Sequence, residues 1–273
     1  MKRSVSILAL AAAATLALSA CGGSDSGDSK GGDSDGPDLV NEGKLTLCSD
    51  IPYEPFEFTK DNENVGFDID MADALAKKLG VELDTITTPF ESIESGVALN
   101  TGKCDIALSG MGATDERKTK MDFTDIYLKD NLAMMTKKGS GIKTLDDAKS
   151  KSVGVQKATT GEAYAKDHGV DPVQFKDTGL LNNAMASGKV DAAVANISTI
   201  YAATQAHDNL EMVQDFGTGE LIGAAVKKGN TKLADSFNEM LKSKLDDGSY
   251  SKLVDQWFGE VGKAAKVTEA KEG

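Results

Sequence analysis

Histidine, positive charge and long apolar runs are all scarce in this chain of 273 residues. Its two histidines, His168 and His207, lie in the polar stretches DHGVD and AHDNL and read as surface residues. No Ser/His/Asp order, metal-ligand spacing or glycine-rich nucleotide loop stands out. No catalytic residue, metal or cofactor is therefore expected. Lys and Arg number 30 against 43 Asp and Glu, a net charge of -13. Such a surface is a poor partner for nucleic acid or for anionic lipid.

The longest apolar run, Val5 to Leu18, follows Lys2 and Arg3 and is too short for an ordinary membrane span. It ends in Leu18-Ser19-Ala20-Cys21, small residues directly before a cysteine. The pattern is that of a bacterial lipoprotein signal peptide over residues 1–20, with Cys21 as the lipid-bearing first residue. Residues 21–38, rich in Gly, Ser and Asp, read as a flexible tether, so membrane attachment would come from lipid alone. Of the three cysteines, only Cys48 and Cys104 remain for the folded part. An exported protein can oxidise such a pair. Placed toward opposite ends of neighbouring parallel strands, however, they would lie too far apart, so two buried thiols are expected.

Beyond the tether, short apolar runs alternate with helical periodicity. Lys44 to Ser49 reads as a strand, and Ile51 to Phe58 as a proline-interrupted loop presenting Tyr53, Phe56 and Phe58. Asp68 to Leu79 is the clearest helix, with Ile69, Ala72, Ala76 and Leu79 on one face and Gly80 as its cap. Ser92 to Asn100 reads as a further helix, and Thr231 to Leu245 and Tyr250 to Phe258 as closing helices. One step occurs twice. LNTGKCDIAL and MASGKVDAAV each end a helix, turn at Gly-Lys and enter a strand just after an aspartate. The echo suggests two α/β lobes, each with a mostly parallel sheet.

Ligands of open α/β sheets bind beyond the carboxyl ends of the strands. Asp50, the turn Ser109 to Thr114, the turn Lys157 to Thr160, and Asn196 all fall there. In the stretch SGMGATDER, Thr114 or Asp115 caps a helix start, and Arg117 stands in its first turn. A guanidinium among unpaired amides is a receptor for a carboxylate, with Ser109, Gly110, Gly112 and Thr114 as further partners. The alternative is a solvated arginine beside Asp115 and Glu116. Thr159 and Thr160 offer a similar turn from the second lobe. Tyr53 and Phe90 are candidates to sandwich an apolar stem or, equally, core residues. Asp50 would attract an ammonium or cap the turn at Pro52. The inventory suits a zwitterion or another small polar molecule.

From Lys44 to Gly259 the chain resembles the bacterial extracellular solute-binding proteins of family 3, the polar amino-acid receptors of ABC importers. The likeness rests on IPYEPFEF, GFDIDMADALAKKLG, GKCDIALSGMGATDERKTKMDFTDIYL, KSVGVQKATTGEAYA and GKVDAAVANIS. It implies a type II periplasmic-binding-protein-like fold of two α/β lobes on a two-strand hinge. Lobe 1 would be residues 39–131 and 219–262, lobe 2 residues 132–218, and residues 263–273 a disordered tail. The hinge crossings would lie near Asp130 to Met134 and Gln214 to Glu220.

By the same resemblance, Tyr53 and Phe90 stack on the ligand, and Arg117 pairs with its α-carboxylate. Ser109, Gly110, Gly112 and Thr114 line the carboxylate side, Thr160 closes over it, and Asp50 serves the side-chain or ammonium end. Gln156 and Lys157 occupy the lobe-2 turn. Two departures stand out: Asn196 where the family usually has a carboxylate for the α-ammonium, and Gly112 where many members have Ser or Thr. Asn196 supplies no charge, which weakens that contact unless Asp50 or another acidic group compensates.

The expectation is a lipid-anchored, monomeric receptor on the extracellular or periplasmic side, serving membrane permease subunits. An enzyme rival, a dehydratase of the same fold, would nominate Asp50 or Glu162 as acid or base. A ligand-sensing receptor is the third reading.

Overall fold

The computed structural model describes residues 36–271. The expected signal peptide, the expected lipidation site Cys21 and residues 21–35 of the expected tether lie outside the described residues, as do 272 and 273. Strand β1 (Lys44–Ser49) shows why the first lobe forms. Alternate side chains leave a strand on opposite faces. Leu45 and Leu47 enter one apolar cluster with Phe67, Met71 and Leu75, whereas Cys48 enters another with Phe90, Ile93 and Leu99. With both faces covered the strand is a central one, and it pairs in parallel with neighbours on either side.

A hairpin, β2 (Phe58–Lys60) and β3 (Glu63–Val65), leads into α1 (Phe67–Leu79). Left-handed Gly80 ends α1, donating its N–H to the Ala76 and Lys77 carbonyls. Then come β4 (Glu82–Thr87), α2 (Phe90–Glu94), α3 (Val97–Asn100), β5 (Ile106–Ala107), α4 (Asp115–Lys118) and β6 (Asp122–Asp130). The single helix expected over Ser92 to Asn100 is broken, because Gly96 takes a φ of 74° between α2 and α3.

The second sheet is built from β7 (Leu132–Lys137), α5 (Leu145–Ala148), β8 (Val153–Gln156) and α6 (Thr160–Asp167). It continues through β9 (Val173–Phe175), α7 (Thr178–Ser187), β10 (Ala192–Asn196), α8 (Ile197–Ala206) and β11 (Leu210–Asp215). The chain then returns through β12 (Glu220–Val226) to α9 (Thr231–Asp246), α10 (Ser249–Phe258) and α11 (Gly262–Ala265). The sheets run β4-β1-β5-β12-β6 and β11-β7-β10-β8-β9. In each, one strand runs against the rest, β12 in the first and β7 in the second.

The repeated Gly-Lys-x-Asp step has the same structural job in both sheets. Gly102 and Gly188 adopt positive φ. Asp105 then accepts from the Thr46 and Val40 amides, and Asp191 from the amide and hydroxyl of Ser152. Each aspartate thereby ties the start of one parallel strand to its neighbour. The two sheets are joined side by side at residues 130–132 and 216–220. There Gly219 donates to Asn131 Oδ1 at 2.9 Å and Leu132 to the Thr218 hydroxyl at 2.9 Å.

Two expectations are corrected. Cys48 and Cys104 form a disulfide, with their Cα atoms 5.7 Å apart. β5 begins only at Ile106, so Cys104 is not a strand residue. It lies on the approach from α3, over the face to which Cys48 points, and both join the same cluster. The tail is not disordered over 263–271. Ala265 and Val267 are buried, the Val267 amide donates to the Tyr250 hydroxyl, and the Lys271 carbonyl accepts from Ile126 on the edge strand β6. Its polar composition hid how few apolar side chains are needed to seat it.

Beneath the loop 51–57 lies a buried acid pair, Glu57 and Asp68. Asp68 accepts from the Gly110 amide (2.8 Å) and the Tyr127 hydroxyl (2.8 Å), while Glu57 accepts from the Ser109 hydroxyl. Burial and the Asp68 charge push the Glu57 carboxyl well up, and burial pushes Asp68 up to about 7. Glu57 keeps its proton to the higher pH of the two, since Asp68 has the donors that stabilise an anion. Both groups hold protons in the folded state that the unfolded chain releases near pH 4, so stability falls as pH rises from about 4 to 7. Thermal melts of the ligand-free protein should show the melting temperature dropping across that window. In Glu57→Gln, which keeps a neutral group there, the slope should flatten; an unchanged slope would assign the pH dependence to other groups.

Candidate functional site

The turn after β5 is held in place by backbone pairing. Ala113 donates to the Leu221 carbonyl and Gly223 to the Met111 carbonyl, so Met111–Ala113 is laced to β12. Thr114 caps α4, its hydroxyl accepting from the Arg117 amide at 3.3 Å. That geometry turns the Arg117 side chain inward, where it is 5% exposed. Its guanidinium carbon lies 5.1 Å from the centre of the Phe90 ring, and its two terminal nitrogens donate to the Gly112 and Ala158 carbonyls, each at 3.1 Å. Among the described residues the guanidinium forms no ion pair. Burial lowers its pKa without bringing it near neutrality. A buried fork bonded only to carbonyls is a receptor for an anion.

Ala158 belongs to the second sheet's side, so the Arg117 contact crosses between lobes. Others do the same. The Tyr53 hydroxyl donates to Asn196 Oδ1 at 2.6 Å. The Gln156 amide donates to Asp50, and its carbonyl accepts from the Thr178 hydroxyl at 2.6 Å. Lys157 pairs with Glu91 at the rim. Asp50 is buried, and desolvation pushes its carboxyl up to about 6 despite the Gln156 bond.

Not every predicted residue faces the cleft with a free group. The Ser109 hydroxyl accepts from the Asp50 amide and donates to Glu57, and the Gly110 amide is taken by Asp68. Gly110 is required for packing, because a Cβ there would lie 2.7 Å from the Tyr53 ring. Thr159 caps α6 and donates to the Gln156 carbonyl. Tyr53 stacks on Phe56 at 5.5 Å and Phe90 lies under Arg117, so both aromatics are wall and core at once. Gly112, by contrast, opens toward Arg117, Thr160 and Glu220, all about 4 Å from where a Cβ would stand (3.8, 4.0 and 3.9 Å). Glu162 accepts from the Ala158 amide and pairs with Lys166 and Gln174.

Sequence reasoning missed two carboxylates on the hinge. Glu220, the first residue of β12, stands directly opposite Asp130, the last of β6. Asn196 Nδ2 donates to Glu220 at 2.7 Å. Desolvation raises the pKa of Glu220 and pushes Asp130 up to about 7. One oxygen of Asp130 accepts from the Asn131 amide, and the other has no partner among the described residues. A lone acid in the glycine-rich stretch GTGELIG was the available signal. A cavity of roughly 490 Å³ opens on the outer side of Arg117, between Thr114 and Thr160, and stops short of Tyr53 and Asn196. Asp50, Tyr53, Gln156 and Asn196 are buried and are not part of its lining.

Residues 45–260 match the family model described as bacterial extracellular solute-binding proteins, family 3. The chain is 34% identical to the arginine-binding extracellular protein ArtP of Bacillus subtilis, over 92% of this chain and 96% of that protein. An ancestral arginine-binding protein bound to glutamine superposes with a TM-score of 0.75 at 37% identity, covering 81% of this chain and 100% of the other. The substrate-binding protein of an amino acid ABC transporter does so with 0.75 at 34%, covering 80% and 100%.

Arg117→Lys keeps the charge and loses the bidentate fork. By calorimetry this substitution should weaken carboxylate binding by roughly 10- to 100-fold. Equal affinity would show that Arg117 is structural.

Proposed function

We propose that this chain, which belongs to the bacterial extracellular solute-binding proteins, family 3, captures a polar amino acid or related amino-carboxylate between its lobes and delivers it to an ABC permease. The role is binding of a solute, not catalysis. The observation that carries the reading is the buried Arg117 guanidinium, free of any ion pair among the described residues and reached from both lobes. On this reading Arg117 holds the ligand carboxylate, with Gly112, Thr114 and Thr160 around it. Tyr53 and Phe90 form the walls, and Asp50 and Gln156 meet the distal end. Asn196 acts at the ammonium end. Ser109, Gly110 and Thr159 hold the two turns in shape.

Relatives named for arginine, histidine and cystine support the ligand class. No helix among the described residues is long and apolar enough to cross a membrane. The sequence from Lys2 to Cys21 supports a lipid anchor facing the extracellular or periplasmic side, with residues 21–38 as tether, and the receptor acting as a monomer. Lobe 1 is read as residues 39–131 and 219–262 and lobe 2 as 132–218, with the described tail seated on lobe 1. Ligand binding draws the lobes together by favouring the closed state.

Calorimetric titration of the refolded, ligand-stripped protein with the twenty L-amino acids tests the reading. At least one polar member should bind with a dissociation constant of about 10 μM or tighter, and its methyl ester, lacking the carboxylate, should not. Silence across the panel would sink the assignment.

A further inference from the structure

The closed cleft holds one cation and several acids. Arg117 feels the charges of Glu94, Glu220 and Glu116. Asp50 and Asp130 are buried besides, and the nearby Lys157 is already paired with Glu91 at the rim. Removing that many carboxylates from water is costly unless positive charge arrives with the ligand. The acids are not equivalent. Asp50 is tied to Gln156. Asp130 is 6% exposed, and its charge is near enough to act on the Tyr53 hydroxyl. Glu220 remains partly exposed and stands 3.9 Å from where a Gly112 Cβ would lie, whereas Glu94, Glu116 and Glu162 line the outer cavity against Arg117.

Two neighbours aim that carboxylate. Tyr53 donates to Asn196 Oδ1, which orients the amide so that Nδ2 points at Glu220. Asn196 therefore presents its donor side toward Glu220, and its one carbonyl oxygen is already engaged by Tyr53. Thr160 of α6 stands beside the same Gly112 opening as the Glu220 carboxylate. Gly112 then leaves an opening. A Cβ there would stand 3.8 Å from the guanidinium nitrogen and 3.9 Å from Glu220 Oε1, so an anion receptor and a cation receptor flank one small space. An α-amino acid needs that spacing, since its carboxylate and ammonium share a single carbon.

We infer that Glu220, presented from the hinge strand and positioned by Asn196, supplies the negative charge that binds the ligand's α-ammonium. The inference rests on the proposed capture of an amino-carboxylate. Asn196 is then a positioning residue, and glycine at 112 makes room for the ammonium. Since Glu220 is a hinge residue, the contact also couples occupancy of the amino-group site to the strand on which the lobes turn.

The test uses L-arginine, L-histidine and L-glutamine with their des-amino counterparts guanidinovalerate, imidazole propionate and glutaramate. Calorimetry is run on wild type and Glu220→Gln. For the amino acid that wild type binds best, Glu220→Gln should weaken binding about 30-fold, the scale of a charge-assisted hydrogen bond. Binding of its des-amino counterpart, weak in wild type, should be unchanged in the variant, which also shows that the variant is folded. Equal weakening of both ligands would make Glu220 a structural hinge residue and overturn the inference. So would an amino-acid affinity that the substitution leaves untouched. Failure of wild type to bind all three amino acids, with silence across the remaining L-amino acids, would overturn the functional reading and this inference with it.

Discussion

The site depends on a guanidinium that the fold has dehydrated without giving it an acid. Arg117 lies against the face of Phe90, and its terminal nitrogens meet two carbonyl oxygens, one from each lobe. A charge in that state is unfavourable in the empty closed form and favourable once an anion arrives. Everything around it serves that placement. The Thr114 cap turns the side chain inward, the pairing of Met111–Ala113 with β12 fixes the turn, and the Ala158 carbonyl brings the second lobe to the same group.

The lobes meet through a few directed contacts: Tyr53 with Asn196, Asp50 with Gln156, Lys157 with Glu91 and Arg117 with Ala158. A net hydrogen bond is worth about 1 kcal/mol, and an exposed ion pair less. Against such contacts stands the burial of Arg117, Asp50 and Asp130. A ligand that satisfies the buried charges then shifts the population. The hinge contributes directly, because Glu220 and Asp130 stand opposite each other at the crossing and both carboxyls are raised by burial.

Much of this was legible in the sequence. The strand over Lys44–Ser49, the α1 face and the Gly-Lys-x-Asp echo were readable because local periodicity and turn chemistry agree with the tertiary fold. The place of Arg117 in the first turn after the Thr114 cap was readable because a helix cap and a cation fall within four residues. What could not be read was non-local. Cys104 reaches Cys48 because β5 is short, and strand length is set by neighbours. The Ser109 hydroxyl and Gly110 amide look free in sequence, yet they hold the buried pair Glu57 and Asp68. Glu220 carries little local signature beyond a lone acid in the stretch GTGELIG. It reaches the site only because β12 returns to the first sheet beside the Gly112 turn.

The most direct test of the central claim is a diffraction structure of the closed protein with the tightest-binding amino acid. The account predicts the ligand carboxylate within hydrogen-bonding distance of both terminal nitrogens of Arg117, and its ammonium on the Glu220 side of Gly112. A bound ligand whose carboxylate lies elsewhere, with Arg117 still held only by the Gly112 and Ala158 carbonyls, would contradict it.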